Sequence, residues 1–80
     1  MPRYHEKYSV GSRVRIAARA KLEDFHTRWR YHNKLTREQI DFADAVAEVA
    51  VVTFYHGGDV LYELKLVCGI WHEECLLDPV

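Results

Sequence analysis

The stretch Ala45 to Val67, AVAEVAVVTFYHGGDVLYELKLV, limits the folds open to this chain more than any other. Gly57-Gly58 sits between two runs rich in β-branched and aromatic residues, the pattern of a β-hairpin closed by a two-residue loop. Such a loop pairs His56 with Asp59. It then puts Tyr55/Val60, Thr53/Tyr62, Val51/Leu64 and Val49/Leu66 on one face. The other face takes Phe54/Leu61, Val52/Glu63, Ala50/Lys65 and Glu48/Val67. The first face is almost wholly apolar and the second is mixed, and a slip of one residue would mix the two sets. This register predicts Val51, Tyr62 and Leu64 buried, with Glu63 and Lys65 exposed.

At 80 residues the chain is one domain, near the lower limit for folding without staples. Bulky side chains must then supply the core, and ten aromatics within 49% hydrophobic residues meet that need. No apolar run approaches the ~18 residues of a membrane-spanning helix. The N-terminus, MPRYHEKYSV, has no apolar core of the kind a signal peptide carries, so the expected location is cytoplasmic. Two cysteines, Cys68 and Cys75, are too few for a disulfide scaffold and are expected to be reduced.

The net charge of −1 hides a split: residues 1–37 hold ten Lys/Arg against three Asp/Glu, and residues 38–80 hold one against nine. Two readings stand. The halves fold together and neutralise each other, or the basic half binds nucleic acid.

Residues 1–9 read as a flexible arm and residues 10–80 as one barrel domain. Arg13-Val14-Arg15-Ile16 alternates as a strand with both arginines outward. Ala17 to Glu23 extends it or turns helically. Asp24 to Leu35, DFHTRWRYHNKL, has no clean period and reads as a long folded-over loop pinned by Phe25, Trp29 and Tyr31. Thr36 and Gln39 have capping-box spacing, which predicts a short helix from Arg37 to about Asp44. After the hairpin, Cys68-Gly69 should break the strand. Ile70 to Cys75 should form a tight turn, and Leu76-Leu77 a last strand before Asp78-Pro79. These elements describe a mainly β fold: a small, partly open barrel of the Src-homology-3-like (SH3-like) type, with one short helix before the central hairpin.

Candidate sites follow from residue chemistry. For a protein partner, the hairpin tip offers His56 and Asp59, and Phe54 with Leu61 and Tyr55 offers an apolar docking patch. For nucleic acid, Arg13, Arg15, Arg28, Arg30 and Lys34 interleave with aromatics suited to base stacking. For a metal, His72 and Cys75 lie three apart and His56 lies at the tip. Zinc needs three or four converging ligands, however, and only one short spacing is present. The alternative makes Cys75 a small buried hydrophobe and His72 a surface residue. No cofactor is expected.

Three segments resemble the β-subunit barrel of nitrile hydratase and of its relative thiocyanate hydrolase. Ser12-Arg13-Val14-Arg15 resembles the opening G-D-x-V-R-V. His26-Thr27-Arg28-x-x-Tyr31 is similar to H-T-R-x-P-x-Y, with Trp29-Arg30 in place of the usual residues. Leu61-Tyr62-Glu63-Leu64 followed by Trp71 is similar to L-Y-x-V-x-F with a later L-W. The resemblance spans roughly residues 10 to 77 and adds His26 and Arg28 to the partner-binding set. It implies a barrel that packs against a metal-bearing α-subunit. It does not imply catalysis here, because in that family the metal lies in an α-subunit cysteine cluster that this chain lacks. The expectation is a non-catalytic accessory protein of the nitrile hydratase type.

Overall fold

A computed structural model describes residues 6–55 and 59–79. Five antiparallel strands, in the order β4-β3-β2-β1-β5, curl into a small partly open barrel, so the fold is mainly β as expected. The strands are β1 (Arg13–Ile16), β2 (Val46–Phe54), β3 (Val60–Leu64), β4 (Val67–His72) and β5 (Leu76–Leu77). Helix α1 (Arg19–Arg28) follows β1, the single turn α2 (Arg37–Ile40) precedes β2, and a 3₁₀ turn (Glu73–Cys75) leads into β5. No described helix is long and apolar enough to cross a membrane.

The alternation in β1 is realised, with Val14 and Ile16 in the core. Helix α1 takes the helical alternative for residues 17–23 and corrects the expected loop over residues 24–28, leaving 29–36 as the loop. Leu22, Phe25 and Trp29 are spaced three and four apart, so one helical stripe meets the core, where Leu22 and Phe25 are buried. Asp24 and Arg28 pair at 2.8 Å one turn apart on the opposite side. The helix ends as the Trp29 N–H donates to the Phe25 carbonyl.

The hairpin is formed, but its register differs by one residue from the expected one. Phe54 pairs with Val60, Thr53 with Leu61, Val52 with Tyr62 and Val51 with Glu63. The Tyr55 N–H donates to the Asp59 carbonyl at 2.8 Å. The turn expected at Gly57-Gly58, and with it His56, lies outside the described residues. Tyr62 and Leu64 are buried, and Glu63 and Lys65 exposed, as expected; Val51 is 42% exposed instead of buried. An irregularity between Val49 and Val51 then returns Val49 to the core opposite Leu64. Strand β3 sets the phase through Val60, Tyr62 and Leu64, and β2, apolar on both faces, adapts to it.

The strand break expected at Cys68-Gly69 falls earlier. Lys65-Leu66 make the turn, and β4 runs through Gly69 to His72. At Gly69 the strand has a φ of +98° and backs onto Gln39, where a Cβ would lie 2.6 Å from the side-chain nitrogen. Only glycine fits there. Gln39 is itself buried and fully engaged. Its carbonyl oxygen accepts from the Thr36 N–H at 2.9 Å and its amide donates to the Ile70 carbonyl at 2.9 Å. The Thr36 hydroxyl accepts from the Gln39 N–H at 3.2 Å, completing the expected capping box. The helix is shorter than expected, passing after Ile40 into turns.

The arm read over residues 1–9 is held at its end. Tyr8 is buried, its hydroxyl donates to the Leu76 carbonyl, and the N–H groups of Lys7 and Tyr8 donate to the Tyr62 hydroxyl. Residues 1–5 lie outside the described residues. Charge neutralisation between the halves is visible in three ion pairs: Arg19–Asp41, Lys21–Glu74 and Arg28–Glu74.

Candidate partner-docking site

Helix α1, the loop after it and the far ends of β2 and β4 bring together a run of rings that the sequence scatters over residues 25 to 72. Phe25 on α1 and Trp29, which caps its C-terminal end, stack with centroids 5.4 Å apart. The imidazole of His72, at the end of β4, packs on both, at 4.9 and 4.8 Å. Trp29 takes Tyr31 and His32 edge-on, at 5.0 and 5.4 Å. His32 stacks nearly flat on Tyr55 at 3.7 Å. The row Tyr31–Trp29–His32–Tyr55 is therefore one continuous aromatic surface.

Hydrogen bonds fix the row. The Trp29 indole donates to the His32 carbonyl at 2.7 Å. His32 Nε2 meets Asp59 Oδ2 at 2.7 Å, and its Nδ1 lies 2.9 Å from the Asn33 amide nitrogen. Because that amide donates, a neutral His32 carries its proton on Nε2 and donates it to Asp59. His72 Nε2 donates to the Asn33 carbonyl at 2.8 Å. Burial lowers the His72 pKa below the ordinary imidazole value, against the smaller upward pull of the Asn33 bond.

A cavity of about 160 Å³ lies beside the row, lined by Phe25, Trp29, Asp59, His72, Glu73 and Glu74. Each of its carboxylates already has an internal partner. Asp59 holds His32, and Glu73 accepts from the Tyr62 hydroxyl and the Lys7 N–H. Glu74 meets Arg28 at 2.6 Å and Lys21 at 3.6 Å. The Tyr62 pKa is raised, first by burial and then by the bond to Glu73.

Of the residues expected to bind a partner, Tyr55 and Asp59 stand in this cluster. Phe54 is 44% exposed at the same end of β2, but it pairs with Val60, not with Leu61. Leu61 is buried, and it stands opposite His72 on the neighbouring strand. Leu61 shares a second cavity with Asn33 of the loop. The Phe54/Leu61 patch is thus corrected by the register. His26 lies elsewhere, half-buried beside Arg37 and Ile40, and Arg28 is tied to Asp24 and Glu74.

The nucleic-acid set divides between β1, which carries Arg13 and Arg15, and α1 with its loop, which carry Arg28, Arg30 and Lys34. Of the metal candidates, His72 is buried and not a surface residue, because the 29–33 loop folds over it. Cys75 is a buried thiol whose pKa burial pushes up to about 12. Among the described residues no group of three His, Cys, Asp or Glu is placed to hold a metal ion. Sequence reasoning missed the joint role of Trp29, His32 and His72. The density of rings in FHTRWRYH was the available signal, but only the fold adds His72 and Tyr55 to them.

Comparison of the chain with protein-family models, curated proteins and solved structures finds no match.

Proposed function

We propose that the protein is a non-catalytic barrel that binds a protein partner through its aromatic end. The partner proposed is a metal-bearing enzyme subunit of the nitrile hydratase type, for which this chain acts as an accessory. The observation that carries the docking role is the fixed presentation of Tyr31 and Tyr55. Tyr31 is 71% exposed yet packed edge-on against Trp29, and Tyr55 stacks on His32. Exposed rings that are already immobilised lose little side-chain entropy when a partner covers them, so they make efficient binding anchors. The neighbouring Phe54 widens the apolar area. The internal pairing of Asp59, Glu73 and Glu74 favours docking over acid–base chemistry. The choice of partner rests on the resemblance of residues 12–15, 26–31 and 61–64, and Tyr31 belongs to both the resemblance and the surface.

The test is calorimetric titration of the purified chain with a purified α-subunit of a nitrile hydratase-type enzyme. Saturable binding that Tyr31→Ala with Tyr55→Ala weakens at least tenfold supports the reading. Absence of binding, or binding indifferent to those substitutions, refutes it.

A second reading, nucleic-acid binding, draws on exposed Arg30 and Lys34 in the loop that carries the rings. It predicts single-strand affinity that falls by about 0.7 log units per phosphate contact for each tenfold rise in salt. Micromolar oligonucleotide binding at ~150 mM salt, abolished by Arg28→Ala with Arg30→Ala, would put it first.

A further inference from the structure

At the end of β2 remote from the aromatic row, a cleft of about 530 Å³ opens between the start of that strand and the β3–β4 turn. Nine residues of β2 separate the two ends, about 27 Å of extended chain. Ala45, Val46, Ala47 and Val67, with half-buried Phe42, make its apolar wall, and Arg13, Lys65 and Glu48 add two cations against one carboxylate to the lining. Leu66 forms part of the lining at the turn itself.

Leu66 is unusual on two counts. It is fully exposed, and its φ is +65°, in the left-handed region. Turn positions of that kind favour glycine or asparagine, which suffer neither the steric penalty nor the exposure of an apolar side chain. A leucine in that place is unfavourable for the isolated chain on both grounds. Contact with something outside it would account for both.

Charge says what that something is. Arg13 lines the cleft, and Glu48 stands opposite it on β2. The Glu48 carboxylate, however, is held by Lys65 at 3.0 Å, and no described carboxylate pairs with Arg13. Arg15, two residues on along the same face of β1, has a buried Nε with no hydrogen-bond partner among the described residues. Its cross-strand neighbour is Val46, a wall of the cleft. The cleft thus has Arg13 in its lining and Arg15 beside it, and among the described residues no carboxylate pairs with either.

We infer that this cleft is a second docking site, which takes an acidic, leucine- or valine-containing segment of a partner protein. Aliphatic side chains of the segment fill the cleft against Leu66, and its carboxylates meet Arg13 and Arg15. Nucleic acid fits less well, because base stacking needs exposed rings, and the one ring here packs against the core.

The experiment is selection of random ten-residue peptides displayed against the full chain, followed by fluorescence polarisation on the enriched sequences. Acidic-aliphatic peptides should be enriched, with affinity reduced at least tenfold by Arg13→Glu or Leu66→Asp and less than twofold by Tyr55→Ala. Leu66→Gly separates folding from contact. It should leave the melting temperature equal or higher while weakening the peptide at least fivefold. The inference is overturned by enrichment of basic peptides, by no enrichment, or by binding that the cleft variants leave unchanged. Displacement of the peptide by an oligonucleotide overturns it in favour of nucleic acid. Concentration-dependent self-association abolished by Leu66→Asp overturns it in favour of a second copy.

Discussion

Replacing Gly69 with alanine would force the junction between β4 and α2 apart, and the cost can be worked from geometry. The residue sits at φ +98°, where an L side chain is strained by about 1–2 kcal/mol. The new Cβ would lie 2.6 Å from the Gln39 amide nitrogen and 2.7 Å from its Cδ, so the glutamine must move. It has no free direction. Its amide donates to Ile70 and its oxygen accepts from Thr36 in a buried site. Displacement leaves those groups unsatisfied, at about 1–3 kcal/mol. The total is about 2–5 kcal/mol, a large share of the ~4–12 kcal/mol expected for a domain of this size. The melting temperature should fall by about 8–40 °C. Urea unfolding followed by the fluorescence of Trp29 and Trp71 measures it, with an unchanged m-value as the check on two-state behaviour. The decisive comparison is a double-mutant cycle. In a Gln39→Ala background the clash is gone, so Gly69→Ala should cost only the backbone strain, about 1–2 kcal/mol. Equal costs in both backgrounds would refute the argument that Gln39 is what Gly69 makes room for.

The hairpin register predicts a contrast: Leu64→Ala should cost about 2–5 kcal/mol, and Val51→Ala less than ~1 kcal/mol, by chemical denaturation. Equal losses would restore the two-residue-loop register. His72, with its pKa lowered by burial, takes up a proton less readily when folded, so as pH falls below about 6.5 the unfolded chain binds more protons. Its contribution should be whole above that pH and decline as pH falls toward the folded pKa, by at most about 1.4 kcal/mol per pH unit. A His72→Phe variant whose stability has the same pH slope would contradict this. Exposed Cys68 should react with a thiol reagent in the native protein, and Cys75 only on unfolding, because burial keeps it protonated. Two rapid equivalents under native conditions would count against the buried position.

Local signals were legible in the sequence and non-local ones were not. The capping box of Thr36 and Gln39 needs only four residues, and it formed as read. The alternation Val60-Leu61-Tyr62-Glu63-Leu64 marked its strand because its inward residues are bulky. Strand β2 offered valine to both faces, so its phase was set by β3 and by the irregularity near Ala50, which no local rule supplies. Helix α1 was legible only in part: the helix formers of residues 17–23 allow a helical turn, but the stripe that extends it through Phe25 to Trp29 continues into a segment without a clean period. Tyr55 and Asp59 were accessible to reasoning as neighbours of the hairpin turn. His32 and His72 stand forty positions apart, and only the curl of the sheet and the fold-over of the loop join them.

The pairing of β1 with β5 has a consequence for how the chain is made. Arg15 and Ile16 find their partners in Leu77 and Leu76, and Tyr8 finds its acceptor in the Leu76 carbonyl. A ribosome delivers these groups about sixty residues apart. While the nascent chain is still threaded through the exit tunnel, β1 can pair with β2 but its other edge stays open. Val14 and Ile16, both inaccessible in the finished fold, then lack their last cover. Closure therefore waits until the final strand emerges. The interval before it is when the exposed edge is most open to pairing with a neighbouring chain.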